Sequence, residues 1–206
     1  KLPSTPIAIE NHHPDIAWFP PEEFHSFCRS NNIQIIGAFG DEQYYDPETK
    51  KVVRFRNNPK YFDGAVADNM RKLAWVLKNG YKDLYVAWEI GNESFTSWDP
   101  VLYAEYTKKI VDAAQALQPD IKLSIPTILR NTDDPFIKQF IESLKKRGQN
   151  SDWFTWHEKM IPALGDYIKK IDYVTIHVYG ARSIYNANYR GLSLATDLSK
   201  LPNTDH

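Results

Sequence analysis

The string Trp88-Glu89-Ile90-Gly91-Asn92-Glu93 sets an amide and a carboxyl side by side at the end of an apolar run, Leu84-Tyr85-Val86-Ala87-Trp88. Asn92 can donate to a hydroxyl while Glu93 gives up or takes a proton, the pairing that acid/base work on a hydroxylated substrate needs. His177 and Tyr179 alternate within Tyr173-Val174-Thr175-Ile176-His177-Val178-Tyr179-Gly180, so they share one face. They are either site residues or a hydrogen-bonded core histidine and a packed tyrosine. Asp41 follows Gly40 and is either a substrate contact or a solvated loop acid. Trp98, soon after Glu93, either stacks on a ligand or packs in the core. Glu89 faces opposite to Trp88; a buried carboxylate there needs a partner and reads as structural. His12-His13 has no third ligand at a recognisable metal spacing, so it reads as a solvated loop. Ser193, in Gly-Leu-Ser-Leu-Ala, lacks the second glycine of a nucleophile elbow, and neither a P-loop nor a dinucleotide glycine fingerprint occurs.

These residues need elements to position them. Leu84 to Trp88 reads as a strand buried on both faces, with Gly91 allowing the backbone to turn. Upstream, residues 1–20 form a polar, Pro-rich opening, and Pro21 starts a helix over 21–30 with Phe24, Phe27 and Cys28 on one face. A buried strand is predicted over 33–40, a long polar and aromatic loop over 41–63, and a helix over 65–78. That helix draws its stripe from Met70, Leu73, Ala74 and Leu77 and stops at Asn79-Gly80. Asp99-Pro100 caps a helix whose Leu102, Tyr106, Ile110, Ala113 and Leu117 share a face. A strand over 121–126, a helix from Asp134-Pro135 to about 147, and a helical region within 151–170, broken near Pro162 and Gly165, precede the strand over 173–180. Strands alternating with amphipathic helices predict a parallel sheet with helices packed outside it.

The chain has 206 residues, 42% hydrophobic and 25% charged, enough for a real core in one domain. A net charge of -1 argues against an electrostatic grip on nucleic acid or on an anionic membrane. No apolar stretch approaches membrane-spanning length. Cys28 is the sole cysteine, which excludes an internal disulfide or a cysteine metal cluster and suggests a buried, inert thiol. The opening Lys1-Leu2-Pro3-Ser4 shows neither an initiator Met nor a signal peptide, so the beginning reads as processed or cut. The compartment stays open, leaning to secreted or periplasmic. Aromatic content of 14% suits a cleft in which flat rings stack on sugars.

Trp88-Glu89-Ile90-Gly91-Asn92-Glu93 resembles the acid/base motif of retaining clan A glycoside hydrolases, and looks most like the arabinofuranosidase-type families. Pro21-Glu22-Glu23-Phe24 with Cys28-Arg29 is similar to the helix that leads into the third strand of those enzymes. The resemblance implies an α/β fold, a (β/α)8 TIM barrel present in part, with residues 1–206 as a single partial catalytic domain covering strands three to six. It implies Glu93 as general acid/base, Asn92 on the sugar 2-hydroxyl, and His177 and Tyr179 lining the sugar site. It calls for no cofactor or metal, and for a plant or algal polysaccharide or oligosaccharide as partner. The clan's nucleophile is a glutamate ending strand seven. After Tyr179 the only carboxylate side chains are Asp197 and Asp205, so no nucleophile is assigned. The rest of the barrel is then expected from a longer chain or a second one. The rival reading is a non-catalytic barrel that binds carbohydrate or protein.

Overall fold

Pro21 in the first turn, Glu22 and Glu23 at the positive end and Arg29 at the negative end start and finish helix α1, Pro21–Ser30. Its inner face is not the one the phenylalanines suggest. His25 and Cys28 are buried, while Phe24 and Phe27 are 40% and 50% exposed. The His25 ring stacks on Tyr81 with centroids 4.2 Å apart, and its Nε2 lies 2.8 Å from the Tyr85 hydroxyl. A histidine with both ring nitrogens partnered (Nδ1 meets the Pro21 carbonyl) is buried at little cost.

The computed structural model describes residues 20–127, 135–148 and 155–176, all inside one compact unit. After α1 come β1 (Ile35–Phe39), β2 (Gln43–Asp46), β3 (Lys51–Arg54), α2 (Phe62–Lys78), β4 (Tyr85–Ile90) and α3 (Pro100–Leu117). Then follow β5 (Leu123–Thr127), α4 (Pro135–Lys146), α5 (Trp156–Leu164) and β6 (Tyr173–Ile176). Strands β1, β4, β5 and β6 form a parallel sheet in that order, and β2 pairs antiparallel with β3.

Register decides which side chains meet. Gly37 lies opposite Trp88, Phe39 opposite Ile90, and Trp88 opposite Leu123, so Phe39, Trp88, Ile90, Leu123 and Ile125 line one face. Helices α2, α3 and α5 supply the rest of that core through Leu73, Val76, Tyr103, Tyr106, Ile110, Trp156 and Met160. The Trp88 ring stacks on Phe39 at 4.8 Å and lies across Gly37, where an added Cβ would stand 2.5 Å from the indole. Burial of these large side chains contributes roughly 1.5–3 kcal/mol each before entropy is counted. On the opposite face Ala38, Glu89 and Ser124 are neighbours, and Glu89 is buried.

Three expectations need correction. The fold is not a TIM barrel: the described residues form a mixed α/β layer with a four-stranded parallel sheet and a separate antiparallel pair. The region 41–63 is not a bare loop but a hairpin: Tyr44 and Tyr45 pair with Val53 and Val52 across a turn that Asp46 stabilises. In α2 the buried residues are Phe62, Ala65, Asp68, Asn69, Leu73 and Val76. Of the expected set, Leu73 is in the core and Met70 and Leu77 pack partly buried against it, but the centre of the face lies elsewhere. Ala74 faces solvent. The apolar-only count missed this because a polar residue, Asn69, sits at that centre.

Candidate functional site

The end of β1 is fixed first. Asn69 accepts from the Gly40 N–H at 2.8 Å and donates back to the Gly40 carbonyl at 3.0 Å. Tyr106 donates to the same carbonyl at 2.6 Å. Burial pushes the phenols of Tyr103 and Tyr106 well up, so both stay protonated and act as donors. Gly40 therefore has little freedom, and Asp41 follows it into the interior with only 6% of its surface exposed.

The Asp41 carboxylate accepts from the Ser94 hydroxyl at 2.5 Å and from the Trp98 indole N–H at 3.1 Å. The same indole N–H reaches the Asp41 main-chain carbonyl at 3.0 Å. Burial raises the Asp41 pKa above its ordinary 3.8, opposed by Ser94, the Arg56 charge, the Asn92 backbone N–H and Trp98. One carboxyl thus joins the end of β1 to both sides of the turn that follows β4.

That turn starts when the Gly91 N–H donates to the Phe39 carbonyl at 2.9 Å and Tyr103 donates to the Ile90 carbonyl at 2.5 Å. Gly91 has φ +90°, and a Cβ there would stand 2.7 Å from the Asp41 carboxylate and collide with the Ser94 hydroxyl. Glycine is required on both counts. Asn92 is exposed, and Glu93 is half-buried in the left-handed region at φ 50°, ψ 34°. Few residues other than glycine, asparagine and aspartate occupy that region. Downstream, the Thr96 N–H and hydroxyl both donate to the Glu93 carbonyl at 2.9 Å. Asn57, beyond β3, donates to the Ser97 carbonyl at 2.9 Å and accepts from the Asp99 N–H at 2.8 Å. The Asp99 side chain then caps α3 through the Val101 and Leu102 amides.

Glu93 and Asn92 thus lie together at the C-terminal end of a central strand, where parallel sheets present their loops. Asp41 lies close to them but beneath the turn, so it is neither a solvated acid nor a surface that meets ligand. Trp98 is 3% exposed and belongs to the core. Its ring stacks on Tyr106 at 5.5 Å, meets Phe55 and Tyr103 edge-on and leaves no face for a sugar. Its carbonyl accepts from the Trp156 indole at 2.8 Å. His177, Tyr179 and the His12-His13 pair lie outside the described residues.

Sequence reasoning passed over Ser94, Asn57 and Asn69. Ser94 had a visible signal, as a small hydroxyl directly after the Gly-Asn-Glu step. Asn69 had a weaker one, an asparagine inside a helix it does not favour. Asn57 gave none, because its partners are main-chain groups on a distant loop. Arg56 lies 3.5 Å from Glu42 at the rim of this region, with its Nε buried and unpartnered. A hollow of about 430 Å³ opens elsewhere, along the hairpin between Lys51, Arg54, Asp46 and Tyr61. Among the described residues no cluster of three or more His, Cys, Asp or Glu side chains is placed to hold a metal ion. No described helix is long and apolar enough to cross a membrane. No family model matches this chain, and no curated protein or solved structure matches it either.

Proposed function

We propose that this protein is a glycoside hydrolase that cleaves O-glycosidic bonds of a plant or algal polysaccharide or its oligosaccharides with retention. Glu93 is the general acid/base and Asn92 the contact to the sugar 2-hydroxyl. Retaining enzymes need a second carboxylate about 5–5.5 Å from the first, as nucleophile. That residue is not assigned here. The observation that carries the reading is the backbone of Glu93. A glutamate in the left-handed region costs about 1 kcal/mol or more, and such outliers persist only where the surroundings enforce them. Here the enforcement comes from Asp41, Ser94 and the Gly91 turn beneath it. The resemblance around Trp88 to Glu93 supplies the reaction class.

The test is Glu93→Gln and Glu93→Ala in the full-length protein, assayed on a panel of aryl glycosides and polysaccharides. Turnover of substrates with poor leaving groups is expected to fall about 100-fold or more, the size of general acid catalysis. A dinitrophenyl glycoside loses far less in its first step, because its leaving group needs no proton, and azide restores turnover in Glu93→Ala. Equal loss on both substrates without rescue removes Glu93 from this role. Saccharide binding with no hydrolysis by the wild type favours a non-catalytic binding protein instead.

A further inference from the structure

We infer that Asp41 is a positioning residue: it never meets substrate, and it sets the direction in which the Glu93 carboxyl points. This inference rests on the reading of Glu93 as acid/base and adds a residue to it.

The argument is geometric. Asp41 and Glu93 leave different strands, β1 and β4, whose ends are already joined by the Gly91 N–H to the Phe39 carbonyl. Tyr103 holds the near side of the turn at Ile90, and Asn57 holds its far side at Ser97 and Asp99. The Asp41 carboxylate grips the part between them, holding the hydroxyl of Ser94, next to Glu93, and the indole of Trp98, at the far end of the short helical turn. Both donors are buried, Ser94 fully and Trp98 nearly so. The glycine between β4 and Asn92 leaves just enough room for the carboxylate to approach from below. Asp41 is itself held from behind, since Asn69 and Tyr106 fix the peptide group at Gly40. A buried carboxylate that needs several polar partners to hold it is a costly device where only packing is wanted. Placed under a turn that carries a reactive side chain, it fixes that side chain's orientation, on which proton transfer depends.

Loss of orientation has a signature that loss of stability lacks. A partly unfolded enzyme loses the same fraction of activity on every substrate. A misdirected acid loses most on substrates whose leaving oxygen needs a proton, and little on those whose leaving group departs as an anion. The decisive experiment compares Asp41→Asn, Asp41→Ala and Trp98→Phe with wild type and Glu93→Gln in the full-length protein. The readouts are kcat and KM on an alkyl or unsubstituted phenyl glycoside and on a dinitrophenyl glycoside. Trp98→Phe deletes the indole donor and also leaves a cavity in the core, so what it reports is the ratio of losses on the two substrates, which a general loss of stability does not change. The expected result is a fall of about 10- to 100-fold in kcat on the poor leaving group. KM changes little, the dinitrophenyl substrate loses only a few-fold, and the amide variant is milder than alanine because its oxygen still accepts from Trp98.

If Glu93→Gln is leaving-group selective while the Asp41 and Trp98 variants lose activity equally on both substrates, Asp41 is only structural and the inference falls. If Glu93→Gln itself shows no selectivity, the acid/base reading fails first and this inference fails with it.

Discussion

Two aspartates, Asp41 and Asp46, stand close in sequence and each steadies a turn, yet they do so in opposite environments. Asp46 closes the hairpin between β2 and β3 by accepting from the Glu48 N–H at 2.9 Å and the Thr49 hydroxyl at 2.8 Å, all exposed. Those bonds lower its pKa, chiefly through Thr49. Asp41 does similar work under the turn after β4, but burial dominates and its pKa is raised. Each turn contains a non-glycine residue in the left-handed region, Lys50 at φ 54° and Glu93 at φ 50°. The same backbone strain is therefore held once by solvated bonds and once by buried ones. Solvated bonds exchange with water and cost little to lose; buried ones leave orphaned donors behind, at about 1–3 kcal/mol each. The hairpin is therefore expected to tolerate substitution better than the turn that carries Asn92 and Glu93.

The largest expected effect breaks the buried turn directly. Gly91→Ala forces an L side chain to φ +90° and drives a methyl into Asp41 and Ser94. Strain and overpacking together predict a loss of about 2–4 kcal/mol, read from urea unfolding. A loss below about 1 kcal/mol, too small for backbone strain plus overpacking, means the turn is softer than its hydrogen bonds imply. The contrast between buried and exposed turns then disappears.

A middle-sized effect sharpens the comparison through pH. Asp41 has a folded pKa above its unfolded 3.8, so in the window above 3.8 the native state keeps a proton that the unfolded chain has released. Its contribution is greatest below 3.8 and is lost as pH rises through the folded value, by about 1.4 kcal/mol for each pH unit of that window. Asp46 runs the other way: its contribution is present above 3.8 and is lost as pH falls through its depressed folded value. Unfolding free energies of wild type, Asp41→Asn and Asp46→Asn across acid pH give the check. The difference between wild type and Asp41→Asn is expected to shift toward the variant as pH rises above 3.8. The difference for Asp46→Asn shifts toward wild type, and does so below 3.8. Parallel curves for the two variants would show that burial is not what separates these residues.

The sequence made some of this visible and hid the rest for physical reasons. Pro21 and the Asp99-Pro100 start marked α1 and α3 and an apolar run marked the strand before Gly91, because these are local signals; the face of α1 that periodicity picked is not the buried one. The hairpin at Tyr44 and Val53 was missed since its strands are short, half exposed and joined by a turn without a glycine. The barrel expectation failed for a different reason. Local strand and helix patterns repeat in many parallel α/β sheets, and closure depends on pairings between distant strands that no local pattern encodes. At the site, Asn92 and Glu93 could be singled out by chemistry alone. The partner that holds them could not, because Asp41 and Ser94 are 53 positions apart and meet only once β1 and β4 are paired.

The smallest expected effect on stability separates strain from function. Lys50→Gly and Glu93→Gly each remove the left-handed penalty of about 1 kcal/mol and each add a similar entropy cost to folding. Both are therefore expected to change unfolding free energy by no more than about 0.5 kcal/mol, since the two terms nearly cancel. If strain at these positions served only to close turns, glycine would serve as well at either. The distinction lies in what the side chain does: Lys50→Gly is expected to leave hydrolysis unchanged, and Glu93→Gly to abolish it for substrates with poor leaving groups. Equal stability with unequal activity ties the retained strain at residue 93 to the reach of its carboxyl. If Glu93→Gly instead costs stability that Lys50→Gly does not, the glutamate is held in place by its own packing, and the strain carries no functional meaning.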